Sequence, residues 1–128
     1  NTRRLRAIVG EVGWPGRTMV GADGAEAAWV LVLHADQNPV FQRRCLKFIE
    51  QAVADGDADP EQLAQLTDRL CVNARQRQVY GTQMHMVEGQ IVPWPIEQPE
   101  RVDERRAGVG LPPLADYLAA VRRSYGAE

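Results

Sequence analysis

The feature that most constrains this chain is a device used twice. Asn38-Pro39 and Asp59-Pro60 each stand immediately before an apolar pattern of helical period. A short polar side chain at an N-cap can accept a hydrogen bond from an orphan backbone N–H, and proline at the first helical position has no N–H to leave unpaired. The two pairs therefore fix where two helices begin. After Asn38-Pro39, Phe41, Cys45, Phe48, Ile49 and Ala52 recur on one face to about Ala54, and Gly56 stops the run. After Asp59-Pro60, Leu63, Leu66, Leu70 and Ala74 form an inner stripe, with Asp68 and Arg69 flanking it. The short connections predict that these helices and the one before them pack as antiparallel neighbours.

The helix before them is read as Ala25 to about Asp36, starting at Asp23 or Gly24 after a loop through Gly21. Its run Ala27 to Leu33 is apolar on every face, the pattern of a central, buried helix, and it is predicted to be the spine of the domain. Earlier still, Leu5, Ile8, Val9 and Val12 mark a helix over 2–12, stopped by Gly13-Trp14-Pro15-Gly16. Towards the C-terminus the period changes. Tyr80–Val87 and Gln90–Ile96 flank Glu88-Gly89 and read as a hairpin, whose second strand is confined to an edge by Pro93 and Pro95. Amphipathic helices follow at about Glu100–Ala107 and Pro113–Ser124. The expected fold is mainly α, a five- to six-helix bundle with a small two-stranded antiparallel hairpin, in a single domain over residues 1–128.

Composition narrows the function classes. A chain of 128 residues with 45% hydrophobic content can bury a core without metals or disulfides. A net charge of -2 argues against a nucleic-acid partner, which needs a concentrated basic surface. No apolar run approaches the roughly 18–20 residues of a membrane span. Cys45 and Cys71 form neither a C-x-x-C pair nor a secreted framework, so free thiols and a bacterial cytoplasmic location are expected. No apolar signal segment follows the N-terminal arginines. His85, Met84 and Met86 lack further ligands at metal-site spacing, and His34-Ala35-Asp36 is wrongly spaced for two ligands on one helix face, so no metal is expected. No phosphate-binding loop, dinucleotide fingerprint or nucleophile elbow is present, and no cofactor is expected.

Several phrases occur together: Gly13-Trp-Pro-Gly-Arg, Gly24-Ala-Glu-Ala-Ala-Trp, His34-Ala-Asp, Phe41-Gln-Arg, Leu66-Thr-Asp-Arg, Tyr80-Gly-Thr-Gln, and Val102-Asp-x-x-Arg-Arg with Gly110-Leu-Pro-Pro-Leu. As a set, over nearly the whole chain, they resemble an uncharacterised bacterial family of unknown function that is abundant in actinobacteria. The resemblance implies a further acidic, Asp-Gln-containing helix ahead of Asn1. It brings no activity with it.

Among polar residues, His34 is the first candidate. The helix C-terminus favours its protonated ring, burial favours the neutral ring, and a carboxylate from Asp36 or Asp68 would decide between them. With such a partner His34 is a general acid or base; without one it caps a carbonyl inside the core. Gln42 is expected to point inward, stitching two helices or orienting a ligand. Asp68 and Arg69 read as a helix-edge pair holding a loop, or, if Asp68 meets His34, as part of the site. Tyr80, Thr82 and Gln83 crowd a glycine-containing strand entry and either bind substrate or dock the hairpin. Arg105 and Arg106, with Asp103, suggest a clamp for an anion, against the alternative of a solvated helix face. Trp14 and Trp94 could line a pocket mouth or plug the core.

Three functions follow from these residues. One is a small-molecule-processing domain with a His34-centred acid–base pocket for hydrolysis, elimination or isomerisation, in which Asp68 or Asp36 positions the histidine and Gln42, Arg69, Tyr80, Thr82, Gln83 and Trp14 bind substrate. The second is a ligand-binding or regulatory module with the same pocket and no chemistry. The third is a protein-interaction or structural domain whose polar groups are internal stitching.

Overall fold

The computed structural model describes Leu5 and residues 17–126. Among them are five α-helices, α1 (Arg17–Leu33), α2 (Pro39–Ala54), α3 (Pro60–Asn73), α4 (Val102–Ala107) and α5 (Leu114–Gly126), with a 3-10 turn at Pro99–Arg101 leading into α4. Strands β1 (Met84–Val87) and β2 (Gln90–Pro93) form one antiparallel pair. Among the described residues the fold is mainly α with a single hairpin, as the periodicities predict. The helix expected over 2–12 and the turn holding Trp14 lie outside the described residues. The chain divides into two compact units, Asn1–Leu66 and Thr67–Glu128.

In the first unit, α1 is broken at Gly21, whose φ of 78 and ψ of 170 only glycine adopts readily. The helix starts earlier than its apolar run implies and ends sooner, at Leu33 rather than near Asp36. Pro39 disfavours helical geometry at Asn38, which separates α1 from α2 but does not set the stop at Leu33. The tight bonds Ala35 N–H to Val32 O and Asn38 N–H to Ala35 O make that exit turn.

The expectation that α1 is buried all round is corrected. Ala25, Ala28, Trp29 and Val32 are buried, whereas Glu26, Ala27 and Val30 are exposed. The buried set has i, i+3, i+4, i+7 spacing, so α1 is covered along one stripe, and apolar composition on its other faces does not bring cover with it. The Trp29 indole N–H donates to Gln62 O on α3, and Gln62 donates to Glu26 in return, which ties the two helices together.

Helix α2 buries Phe41, Gln42, Cys45, Ile49 and Ala52. Phe48, expected among them, sits at the rim and is exposed. Asn38 occupies the N-cap without a side-chain cap bond, so Pro39 alone marks the start. Asp59 does cap α3, its carboxylate accepting from the Glu61 N–H at 2.9 Å. Gly56, at φ 74, closes α2 through a left-handed capping turn: Gly56 N–H to Val53 O and Asp57 N–H to Ala52 O.

In the second unit, the hairpin pairs Met84 with Pro93, His85 with Val92, Met86 with Ile91 and Val87 with Gln90. Glu88 and Gly89 both have positive φ, the two-residue turn whose twist matches the strands. Both strands are shorter than the alternation suggests. The proline-bearing end of β2 offers few donors, and residues 79–82 have their backbone bonds committed elsewhere, as described next. The α5 helix is fastened to the hairpin by Arg122, which donates through Nε and Nη2 to Ile91 O at 3.0 and 2.8 Å.

Candidate functional site

Asp68 is completely buried, not at the edge of the α3 stripe. Its carboxylate gathers the turn after the helix. Oδ1 accepts from the backbone N–H groups of Val79 (2.8 Å) and Tyr80 (2.9 Å), and Oδ2 accepts from the Thr82 N–H (2.9 Å) and the Thr82 hydroxyl (2.8 Å). A carboxylate has about four lone-pair positions. All four are occupied, so Asp68 has none left with which to orient a histidine.

The carbonyls of the same turn are met by arginines of α4. Arg105 Nε donates to Val79 O at 2.8 Å, and its other nitrogens reach Glu97 O and Gln98 O. Arg106, fully buried, donates to Tyr80 O (2.8 Å), Gly81 O (3.5 Å) and Pro112 O (2.6 Å), with its guanidinium carbon 4.8 Å from the centre of the Tyr117 ring. Burial pushes its pKa below the usual guanidinium value, while Tyr117, Asp103 and Asp68 act in the opposite direction. Asp103 accepts from the Leu114 N–H at 2.8 Å and anchors the start of α5.

The reading of Arg105 and Arg106 as a solvated face or an anion clamp is therefore corrected: both are engaged by backbone carbonyls. The loop after the helix lies between a carboxylate that takes its N–H groups and guanidiniums that take its C=O groups. Gly81 completes it at φ 71, in a space where a Cβ would lie 3.1 Å from Leu114 Cδ1 and 3.2 Å from Ile96 Cδ1.

Gln78, which sequence reasoning missed, continues this scaffold. It is fully buried; its Oε1 accepts from the Gln83 N–H at 2.9 Å, and its Nε2 donates to Gln83 O and Trp94 O at 3.0 and 2.9 Å. The side-chain amide thus acts as a stretch of backbone, joining the two chain segments that enter the hairpin. Its neighbours Arg75, Gln76 and Arg77 make it read as one more polar loop residue, and no local signal distinguishes it.

His34 is exposed, and its Nδ1 lies 2.9 Å from Val30 O, the carbonyl one turn back on its own helix. The expected burial of this histidine is corrected: α1 stops at Leu33, which places His34 on an outward turn. His34 belongs to the first unit and Asp68 to the second, and each has its partners within its own unit. Gln42 is buried as expected and closes the end of α1, with Nε2 donating to Val32 O (3.0 Å), Leu33 O (3.4 Å) and Asp36 Oδ1 (3.3 Å). Its Oε1 is buried without a partner among the described residues. Arg69 is half-buried.

Instead of His34, the structure brings His85 beside the Tyr80–Gln83 segment. A cavity of about 240 Å³ is lined by Thr82, Gln83, His85 and Tyr117 together with apolar side chains of the hairpin and α5. Gln83 Nε2 donates to the Thr82 hydroxyl at 3.0 Å, and the Tyr117 hydroxyl reaches Thr82 O at 3.4 Å. A larger groove, about 950 Å³, opens elsewhere along the hairpin and is also lined by His85. There the imidazole stacks on the Trp94 indole, ring centres 3.6 Å apart and planes 15° from parallel. Val72, Pro93 and Pro95 give apolar walls, and Asn73, Arg75, Gln76 and Arg77 supply polar groups.

Among the described residues, no group of three His, Cys, Asp or Glu side chains lies together as a metal site, and no helix is long and apolar enough to cross a membrane. Both cysteines are free thiols. Burial pushes Cys45 up to about 12, with Arg44 acting against it, and raises Cys71, with Asp68 adding to the effect.

No curated protein and no solved structure matches the chain. A family model does, along residues 1–128, under the description "Family of unknown function (DUF6624)". The buried loop scaffold, with the hairpin groove it supports, therefore belongs to a chain that is a member of the family of unknown function DUF6624.

Proposed function

We propose that the second unit is a small-molecule-binding module whose site is the groove on the stacked His85–Trp94 pair. The observation that carries this reading is a face-to-face imidazole–indole stack lining a groove of about 950 Å³, a size in the range of small-ligand sites. Gln78 fixes the backbone that carries the stack by bonding Gln83 O and Trp94 O at the two strand entries. A platform fixed before the ligand arrives loses little freedom on binding, which favours affinity.

Binding is favoured over acid–base turnover at this histidine. Among the described residues no carboxylate or carbonyl hydrogen-bonds the His85 ring to select its tautomer, as an acid–base histidine requires. The test is a fragment screen read by two-dimensional NMR on the intact chain. Hits should shift the Trp94 indole and His85 ring signals together, and Trp94→Leu should weaken them at least about tenfold. Hits that leave both signals unmoved, or that bind folded Trp94→Leu as tightly as the parent, would overturn the reading.

A further inference from the structure

The two arginines at the groove carry a more specific conclusion. Helix α3 ends in the same left-handed capping turn as α2: Arg75 N–H bonds to Val72 O at 3.0 Å and Gln76 N–H to Cys71 O at 2.8 Å. At α2 the left-handed residue is Gly56, at φ 74; at α3 it is Arg75, at φ 59. An L side chain crowds the backbone in this conformation, which is why glycine usually fills it. The arginine does not recover that strain through a bond to its neighbours, because among the described residues its guanidinium has no hydrogen-bond or ion-pair partner. What the substitution does achieve is to put a cation at the groove.

Arg77 stands two residues on. Its guanidinium makes one long bond, Nη1 to Ile96 O at 3.4 Å, which leaves its other donors uncommitted among the described residues. The groove thus has two guanidiniums and no carboxylate among its described lining residues, in a chain whose net charge is -2. Guanidinium forks match planar oxyanions, and the same groove presents the parallel His85 and Trp94 rings.

We infer that the ligand is an aromatic oxyanion: a flat ring laid against the His85–Trp94 platform, with a carboxylate or phosphate held by Arg75 and Arg77. This rests on the groove being the binding site and adds the charge and shape of what it takes. It also gives a reason for an arginine in a glycine position, since stability is given up for a ligand contact.

Four probes test it on the intact chain by NMR titration: 2-naphthoate, 2-naphthyl phosphate, 2-naphthamide and cyclohexanecarboxylate. The two aromatic anions should bind at least about tenfold tighter than the neutral amide and the non-aromatic acid. Whichever of the two is tighter identifies the oxyanion. Arg75→Gly should lower their affinity about tenfold while raising Tm, a pairing that misfolding cannot produce; Arg77→Met should lower affinity as well.

Equal binding of naphthamide at the His85–Trp94 signals would overturn the anion assignment and leave the groove reading standing. Failure of all four probes to move those signals would overturn both. Undiminished anion affinity in Arg75→Gly would remove Arg75 from the site and overturn the inference.

Discussion

Gln42 in the first unit and Asp68 in the second are both fully buried polar side chains, and they are used in opposite ways. Gln42 presents only its amide N–H groups, to the carbonyls that end α1, and leaves its Oε1 without a partner. Asp68 has every acceptor position filled by one loop, and that loop is held on its carbonyl side by two arginines. The first arrangement seals a helix end. The second holds a stretch of irregular backbone, half-buried at Val79 and Tyr80 and buried at Gly81 and Thr82, by meeting N–H groups of Val79, Tyr80 and Thr82 and carbonyls of Val79, Tyr80 and Gly81. The difference teaches that buried polarity has two uses here, closure in one unit and construction of a loop in the other.

The comparison predicts unequal responses to loss of each group. Asp68→Asn keeps the shape but replaces one acceptor oxygen with a donor facing loop N–H groups, and it removes one of the negative charges that act on buried Arg106, after Tyr117 and Asp103. The expected loss is about 3 kcal/mol by chemical denaturation, with the amide signals of Val79, Tyr80 and Thr82 displaced. A loss below about 1 kcal/mol would mean that the loop does not depend on the carboxylate.

Two glycines sharpen the contrast at the level of backbone. Gly81 in the loop and Gly56 at the end of α2 have nearly equal positive φ, 71 and 74. Around Gly56 a Cβ would meet nothing within 4 Å, whereas at Gly81 it would press on Leu114 and Ile96. Gly56→Ala should therefore cost only the backbone term, about 1 kcal/mol. Gly81→Ala adds overpacking and should cost about 2–3 kcal/mol. Equal losses, measured as shifts in denaturation midpoint, would show that the loop has room to relax.

Removing the first unit's buried amide should matter less. Gln42→Met keeps the volume, gives up the bonds to Val32 O and Leu33 O, and also removes the unpartnered Oε1. The two effects oppose one another, and a net loss of about 1 kcal/mol is expected in the same denaturation measurement. A loss as large as that of Asp68→Asn would erase the distinction between the two hubs.

These residues also show what was legible from sequence. The starts of α2 and α3 were, because Pro39 and Asp59-Pro60 act through local geometry, whereas α1, without such a device, starts at Arg17, ahead of its apolar run. The Glu88-Gly89 turn was legible for the same reason. Gln42 was placed inward by its spacing on α2.

What could not be read was which polar residues face one another. Asp68 and Arg106 look like members of charged helix edges, and only the loop between them, distant in sequence from both, makes them core. Tyr80–Thr82 alternates like a strand, yet its N–H groups go to Asp68 rather than to a ladder. The groove was the least legible feature. His85 and Trp94 meet across the hairpin, and the left-handed conformation of Arg75 leaves no mark in the sequence, since the residue that would reveal it is a glycine.

The smallest predicted effect concerns the residue that sequence reasoning placed first. An all-apolar helix ending in histidine predicts a buried imidazole under tension between solvation and the helix terminus. The helix ends at Leu33, short of the expected Asp36, and His34 sits exposed, reaching back to Val30 O at 2.9 Å. A hydrogen bond in reach of water is replaced by water when it is lost, so His34→Ala should change stability by no more than about 0.5 kcal/mol. It should also leave binding at the His85–Trp94 groove unchanged. The corresponding change at His85 removes half of the stacked platform and should weaken that binding, although both residues are single histidines on polar turns or short strands. A large stability loss in His34→Ala would show that the end of α1 relies on this bond, and a loss of groove binding would mean that the site extends beyond the second unit.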